Sequence, residues 1–91
     1  MNTEQFKQWV IENIEDISLA VANESSAHLI TAENVMVDGK YVTIGDDQDG
    51  VDLICHEPDE DDMEWVGYNG EWDEMVINGV RVWSYWLGSN N

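Results

Sequence analysis

Two Asx-Gly dipeptides, each set between short runs of β-branched residues, limit what this chain can become more than any other feature. Asp38-Gly39 stands between NVMV and KYVTIG, and Asn78-Gly79 stands between MVI and VRVW. Two-residue hairpin turns that match the twist of their strands need residues tolerant of positive φ, which these dipeptides supply. Val35, Val37, Tyr41 and Thr43 sit well on a pleated surface, so the first dipeptide predicts a hairpin. The second is open to two readings. Strands from about Glu74 to Ile77 and Val80 to Leu87 fit the turn. Yet Trp72, Met75, Val76, Gly79, Val80, Trp83, Trp86 and Leu87 also share one helical face, with Gly88 placed as a helix stop. The valines and the Asn-Gly pair disfavour helix, which makes the hairpin the preferred reading.

Around these hairpins the rest of the chain falls into place. Phe6, Trp9, Val10, Ile14, Ile17 and Val21 recur at spacings of three and four and predict one amphipathic helix over 3–24. Thr3 is its expected cap, with Phe6 where a full capping box would put Glu. SSAHLITAEN reads as a connector or short strand. A third strand is expected from Val51 to Glu57, stopped by Pro58, which gives no ladder donor. Pro58 to Asp62 then reads as a loop and Met63 to Tyr68 as a returning strand. The expected fold is α+β: an N-terminal amphipathic helix packed on an antiparallel β-sheet, a meander of hairpins, in one acidic domain spanning 1–91.

Charge is the second constraint. The stretch Asp46 to Glu64, DDQDGVDLICHEPDEDDME, holds ten of the 20 carboxylates and no Lys or Arg. Against three Lys and Arg in the whole chain, the formal charge is -17. Disordered acidic tails are poor in aromatics, whereas this chain has five Trp and is 43% hydrophobic, so a folded body carries the charge. Solubility alone asks for a magnitude of roughly 2 to 8, and more costs stability through self-repulsion. Such a surface repels DNA, RNA and anionic membranes, so no direct nucleic-acid binding and no membrane partner is expected. The polar start MNTEQFKQWV lacks a signal-peptide pattern, and no apolar run approaches the ~20 residues of a membrane span. A cytoplasmic location, in a bacterial host cell, is the expectation.

Catalytic, metal and cofactor readings find little support. Acid–base catalysis needs one or two carboxylates with different environments, and an exposed run gives nothing to separate their pKa values. Ser25, Ser26, Ser84 and Ser89 lack a nucleophile elbow, and no glycine loop for phosphate is present. DDQDG resembles part of an EF-hand loop, but with Gly50 at the sixth position, Gly45 and His56 replace the first and last ligands. Cys55, His28 and His56 have no zinc-like spacing. Cys55, among apolar neighbours, reads as a small buried side chain, and Arg81 as the holder of a structural carboxylate. No catalytic residue, no metal, no cofactor and no enzyme activity is expected.

Imitation of nucleic acid fits the magnitudes better. A domain of this length is roughly 30 Å across, and a duplex of that length carries on the order of 18 negative charges. In size, net charge and acidic clustering the chain resembles the DNA-mimic inhibitors that phages and mobile elements use against restriction enzymes and CRISPR effectors. The resemblance implies a stoichiometric inhibitor, monomer or homodimer, whose acidic surface fills the nucleic-acid-binding cleft of a host defence nuclease or CRISPR effector. The partner-binding residues implied are Asp46, Asp47, Asp49, Asp52, Glu57, Asp59, Glu60, Asp61, Asp62 and Glu64, extended by Glu71, Asp73 and Glu74. Trp72, standing between Glu71 and Asp73 in the sequence, is expected to be an exposed aromatic anchor. Reversal of Asp59, Asp61 and Asp62 to Lys is expected to abolish inhibition without unfolding the domain. The alternatives are an acidic immunity protein or antitoxin that neutralises a basic nuclease toxin, and an acidic calcium-binding module.

Overall fold

The chain opens with two short helices where the periodicity predicts one. In the computed structural model, which describes residues 1–21, 27–46, 49–67 and 70–87, α1 spans Thr3–Glu12 and α2 spans Ile14–Val21. The cap lies one residue earlier than expected. Asn2 Oδ1 accepts from the Gln5 backbone N–H at 2.8 Å while Gln5 Oε1 accepts from that of Asn2 at 2.9 Å, a complete capping box. Asn13 makes the break, because its side-chain amide donates to the Trp9 carbonyl at 2.7 Å and competes with the helix backbone there. The end of the predicted helix, 22–24, lies outside the described residues. Two 3₁₀ turns, Ala27–Leu29 and Ala32–Asn34, then occupy the segment read as connector or strand.

The first hairpin joins β1 (Val35–Asp38) to β2 (Tyr41–Ile44). Asp38 pairs with Tyr41, so the turn residues are Gly39 and Lys40, one position later than the dipeptide suggests. Gly39, at φ 62°, takes the strained first position and frees Asp38 for the ladder. The stretch from Gly45 to Gly50 leads to β3 (Val51–Ile54), shorter than the expected Val51–Glu57. There the Asp49 N–H donates to Asp46 Oδ1 at 2.6 Å, and a side chain on Gly50 would run into the Ile44 and Asp46 carbonyls.

The largest departure follows Pro58. Instead of a loop and a returning strand, the chain forms a helix, α3 (Glu60–Val66). Asp59 is its N-cap and Asp62 closes a second capping box, each carboxylate accepting the other's backbone N–H at 3.0 Å. Glu60, Asp61 and Asp62 place three carboxylates in the first turn, where the helix dipole favours them. The run that looks like solvated charge is therefore also a strong helix start.

The Asn78-Gly79 hairpin forms as preferred, with β4 at Asp73–Ile77 and β5 at Val80–Trp86. Asn78 and Gly79 have φ of 50° and 83°, the pair of positive values that a type I′ turn demands. Asn78 Nδ2 also donates to Asn13 Oδ1 at 2.7 Å and Asp16 Oδ2 at 2.8 Å, tying this turn to the α1–α2 junction. Asn78→Ala should cost about 1–2 kcal/mol, since a left-handed residue without its local hydrogen bonds is strained. Asn78→Gly should cost less, and urea titration of the two variants checks the order.

The α+β class holds, but the sheet is not a sequential meander. All pairs are antiparallel and the order is β1-β2-β3-β5-β4. The connection carrying α3 sends β4 to the far edge, and β5 returns between it and β3. β3 is buried along its whole length because both faces are covered. Phe6, Val10 and Ile17 from the first two helices pack with Val42, Ile44, Val51, Leu53 and Val82 on one face. On the other, Ile54, Val66, Trp72, Trp83 and Tyr85 form a second, aromatic cluster. Among the described residues, no helix is long and apolar enough to cross a membrane.

Candidate functional site

Eighteen of the carboxylates fall among the described residues, and only Asp52 and Asp62 are buried. These two correct the expectation that the whole acidic stretch faces a partner. Asp62 is 0% exposed and works as a structural acceptor. Its Oδ1 accepts from Lys40 Nζ at 2.8 Å and from the Tyr41 hydroxyl at 3.0 Å. Its Oδ2 accepts from His56 Nε2 and the Asp59 N–H, both at 3.0 Å. Because an ionised carboxylate only accepts, this contact puts a proton on His56 Nε2. The Asp62 backbone carbonyl receives the indole N–H of Trp72 at 3.0 Å.

Burial alone would push the Asp62 carboxyl up, but the donors from Lys40, Asp59, His56 and Tyr41 outweigh it and hold the group well below the usual carboxylate range. Lys40 is raised in return, chiefly by its hydrogen bond to Asp62 against a desolvation penalty. Tyr41 is pushed up to about 12 by burial first and by the Asp62 carboxylate second. A carboxyl depressed in the folded state lends stability that is present above its unfolded value, about 3.9, and is lost as pH falls below it. For Tyr41 and Lys40, raised above roughly 10, stability is present below that pH and is lost as pH rises through it. Denaturant midpoints should therefore be supported by this cluster between about pH 4 and pH 10 and fall on both sides. In Asp62→Asn both flanks should be shallower, and an unchanged profile would contradict the assignment.

Asp52, 1% exposed, sits across the sheet from Thr43 and accepts its hydroxyl at 2.6 Å. Its other oxygen accepts the indole N–H of Trp65 at 2.7 Å. Trp65 in turn stacks on Tyr41, with ring centroids 5.8 Å apart. The expected exposed anchor, Trp72, is buried at 9% exposure, held between Tyr41 and Tyr85 at centroid distances of 5.7 and 5.8 Å. Trp65 is the exposed one, at 49%. Charged neighbours misled the reading: Glu71 and Asp73 do flank Trp72 and face outward, while the ring between them turns into the sheet.

The other sequence-derived candidates Asp46, Asp49, Glu57, Asp59, Glu60, Asp61, Glu64, Glu71, Asp73 and Glu74 are all exposed, and Asp47 lies outside the described residues. Asp59 doubles as a helix cap and pairs with Lys40 at 3.2 Å. The triple reversal of Asp59, Asp61 and Asp62 would thus break the fold as well as any surface, so it is no test of binding. Glu74 pairs with Arg81 at 2.9 Å, and the Arg81 guanidinium lies 4.9 Å from the Trp83 ring centroid. Two of the three Lys and Arg are accordingly engaged within the protein.

His56, Asp59 and Asp62 form the one group of possible metal ligands among the described residues, with donor atoms within 4.8 Å of one another. The Lys40 ammonium already supplies both carboxylates with their cation. His28 is exposed. Cys55 is half-buried against the core, its Sγ 3.9 Å from the Met1 carbonyl. Comparison of the chain with protein-family models, with curated proteins and with solved structures found no match.

Proposed function

We propose that this protein is a stoichiometric inhibitor that acts as a DNA mimic, presenting its carboxylates to the Lys and Arg of a nucleic-acid-binding cleft in a host defence nuclease or CRISPR effector. The observation that carries the reading is the exposure of all but two of the described carboxylates on a body of 32 × 30 × 21 Å. Duplex DNA over that longest dimension bears on the order of 19 negative charges, against a formal -17 here. Two buried carboxylates tie the acidic stretch to the sheet, which supports a rigid body able to hold its charges in place. A cleft that grips phosphates through Lys and Arg would meet comparable charge density without base pairs to open or a backbone to cut. No catalytic role is assigned to any residue.

The test is capture of partners by the tagged protein from nuclease-treated bacterial lysate, washed at rising salt. Recovery of nucleic-acid-binding proteins that leave as salt rises is the expected result. Recovery of none, or of a partner that has no nucleic-acid site and survives high salt, would count against it. The variant to run beside it carries Glu57→Lys, Glu64→Lys and Glu71→Lys, three exposed positions outside both capping boxes. Like charges brought together at an interface cost several kcal/mol, so binding should weaken by more than about 100-fold. Its thermal midpoint should stay level or rise as self-repulsion falls.

A further inference from the structure

The exposed indole of Trp65 is the feature that the acidic surface leaves unexplained. Large aromatics in so small a protein belong in the core, and this one stands about half outside. It is also fixed: Tyr41 stacks on it, and its N–H is held by Asp52, which Thr43 holds in turn. A pinned side chain has little rotamer freedom to lose on binding. The indole N–H donates to a buried carboxylate, an arrangement that makes the ring more electron-rich and a better host for a cation. Asp61, one helical turn before Trp65 on the same face of α3, and Asp38, paired with Tyr41 in the hairpin, are both exposed. Met36, 44% exposed and paired with Thr43, adds apolar surface on the same side of the sheet.

The chain builds such an arrangement within itself with an arginine. Arg81 lies over Trp83 while its guanidinium pairs with Glu74. Among the described residues the cation–ring contacts are this one and Lys40 over Tyr41, so neither falls on Trp65. We propose that the outward face of Trp65, rimmed by Asp61 and Asp38, is the seat for an arginine of the partner, stacked on the indole and paired with a carboxylate. Arginine is favoured over lysine because its planar guanidinium stacks on an aromatic face and forks to a carboxylate at the same time. This rests on the reading of the partner as a basic nucleic-acid-binding protein, and it names one contact that distinguishes an arginine-bearing cleft from any positive surface.

The experiment compares a nona-arginine with a nona-lysine peptide by calorimetry at 0.15 M salt, using the intact protein and Trp65→Ala. An exposed cation–ring contact corresponds to about a two- to fivefold gain in affinity. The arginine peptide should bind tighter by that factor, and Trp65→Ala should lose the preference while its affinity for the lysine peptide stays the same. Nitrogen–proton correlation spectra of the unmodified protein give a readout that no folding defect can confound. The Trp65 indole N–H peak, assigned by its absence in Trp65→Phe, should move with the arginine peptide more than with the lysine peptide. Equal affinities, a preference that survives Trp65→Ala, or a stationary Trp65 peak would overturn the contact while leaving the acidic-surface reading standing. Failure of both peptides to bind would overturn both.

Discussion

Asp62→Ala should cost about 3–5 kcal/mol of folding free energy, the range for breaking a buried, paired charge. Typical domains have only about 5–15 kcal/mol in total, so the variant should lose a large share of its stability and its urea midpoint should fall accordingly. Three losses combine in one substitution. The capping box of α3 opens, Lys40 and Tyr41 lose their shared acceptor, and a cavity appears where the side chain was fully enclosed. Asp62→Asn should recover little of this. The amide keeps one acceptor oxygen and turns the other side of the site from an acceptor into a donor that faces donors. The neighbouring Asp61→Ala supplies the contrast, because Asp61 is exposed. It should stay within about 0.5 kcal/mol of the parent, as surface substitutions usually do. Urea titration of the pair checks the claim, and equal effects at the two positions would refute the division into structural and surface carboxylates.

Trp72→Ala should be comparably damaging, by about 3–5 kcal/mol, the usual cost of truncating a buried large aromatic. Its ring lies against Tyr41 and Tyr85, and its indole N–H ties the aromatic cluster to the backbone of α3 at Asp62. Trp65→Ala should cost only about 1 kcal/mol, since the ring is half exposed and its removal would open the Asp52 oxygen to water. Chemical denaturation of both variants gives the comparison. A Trp65 variant less stable than the Trp72 variant would mean that the inner and outer tryptophans have been exchanged.

The hairpins were legible because their signals are local. Asn78-Gly79 needs two positive φ values in succession, and no partner elsewhere in the chain changes that. The break at Asn13 is local too, but its signal is weak: periodicity continues through it, and its mark is one asparagine whose side chain bonds the Trp9 carbonyl. α3 carried a readable mark in Asp59 and Asp62, spaced as cap and third residue just after Pro58. Reading the run by charge alone concealed it, and the β-prone Trp65-Val66 pair pointed the wrong way. What no local pattern reveals is which acids go inside. Asp62 is buried because Lys40, Tyr41 and His56 converge on it, and Asp52 because Thr43 and Trp65 do. The strand order is equally nonlocal, since placing β5 beside β3 depends on how α3 spans the sheet.

The most direct test of the account is competition. A protein captured from lysate is saturated with its own duplex DNA target, and this protein is titrated in while the bound DNA is followed by fluorescence anisotropy at two salt concentrations. DNA should be displaced completely at one protein per site, with the affinity of the displacing protein falling steeply as salt rises. Formation of a ternary complex that keeps its DNA, or displacement indifferent to salt, would contradict the claim that the carboxylate surface takes the place of nucleic acid.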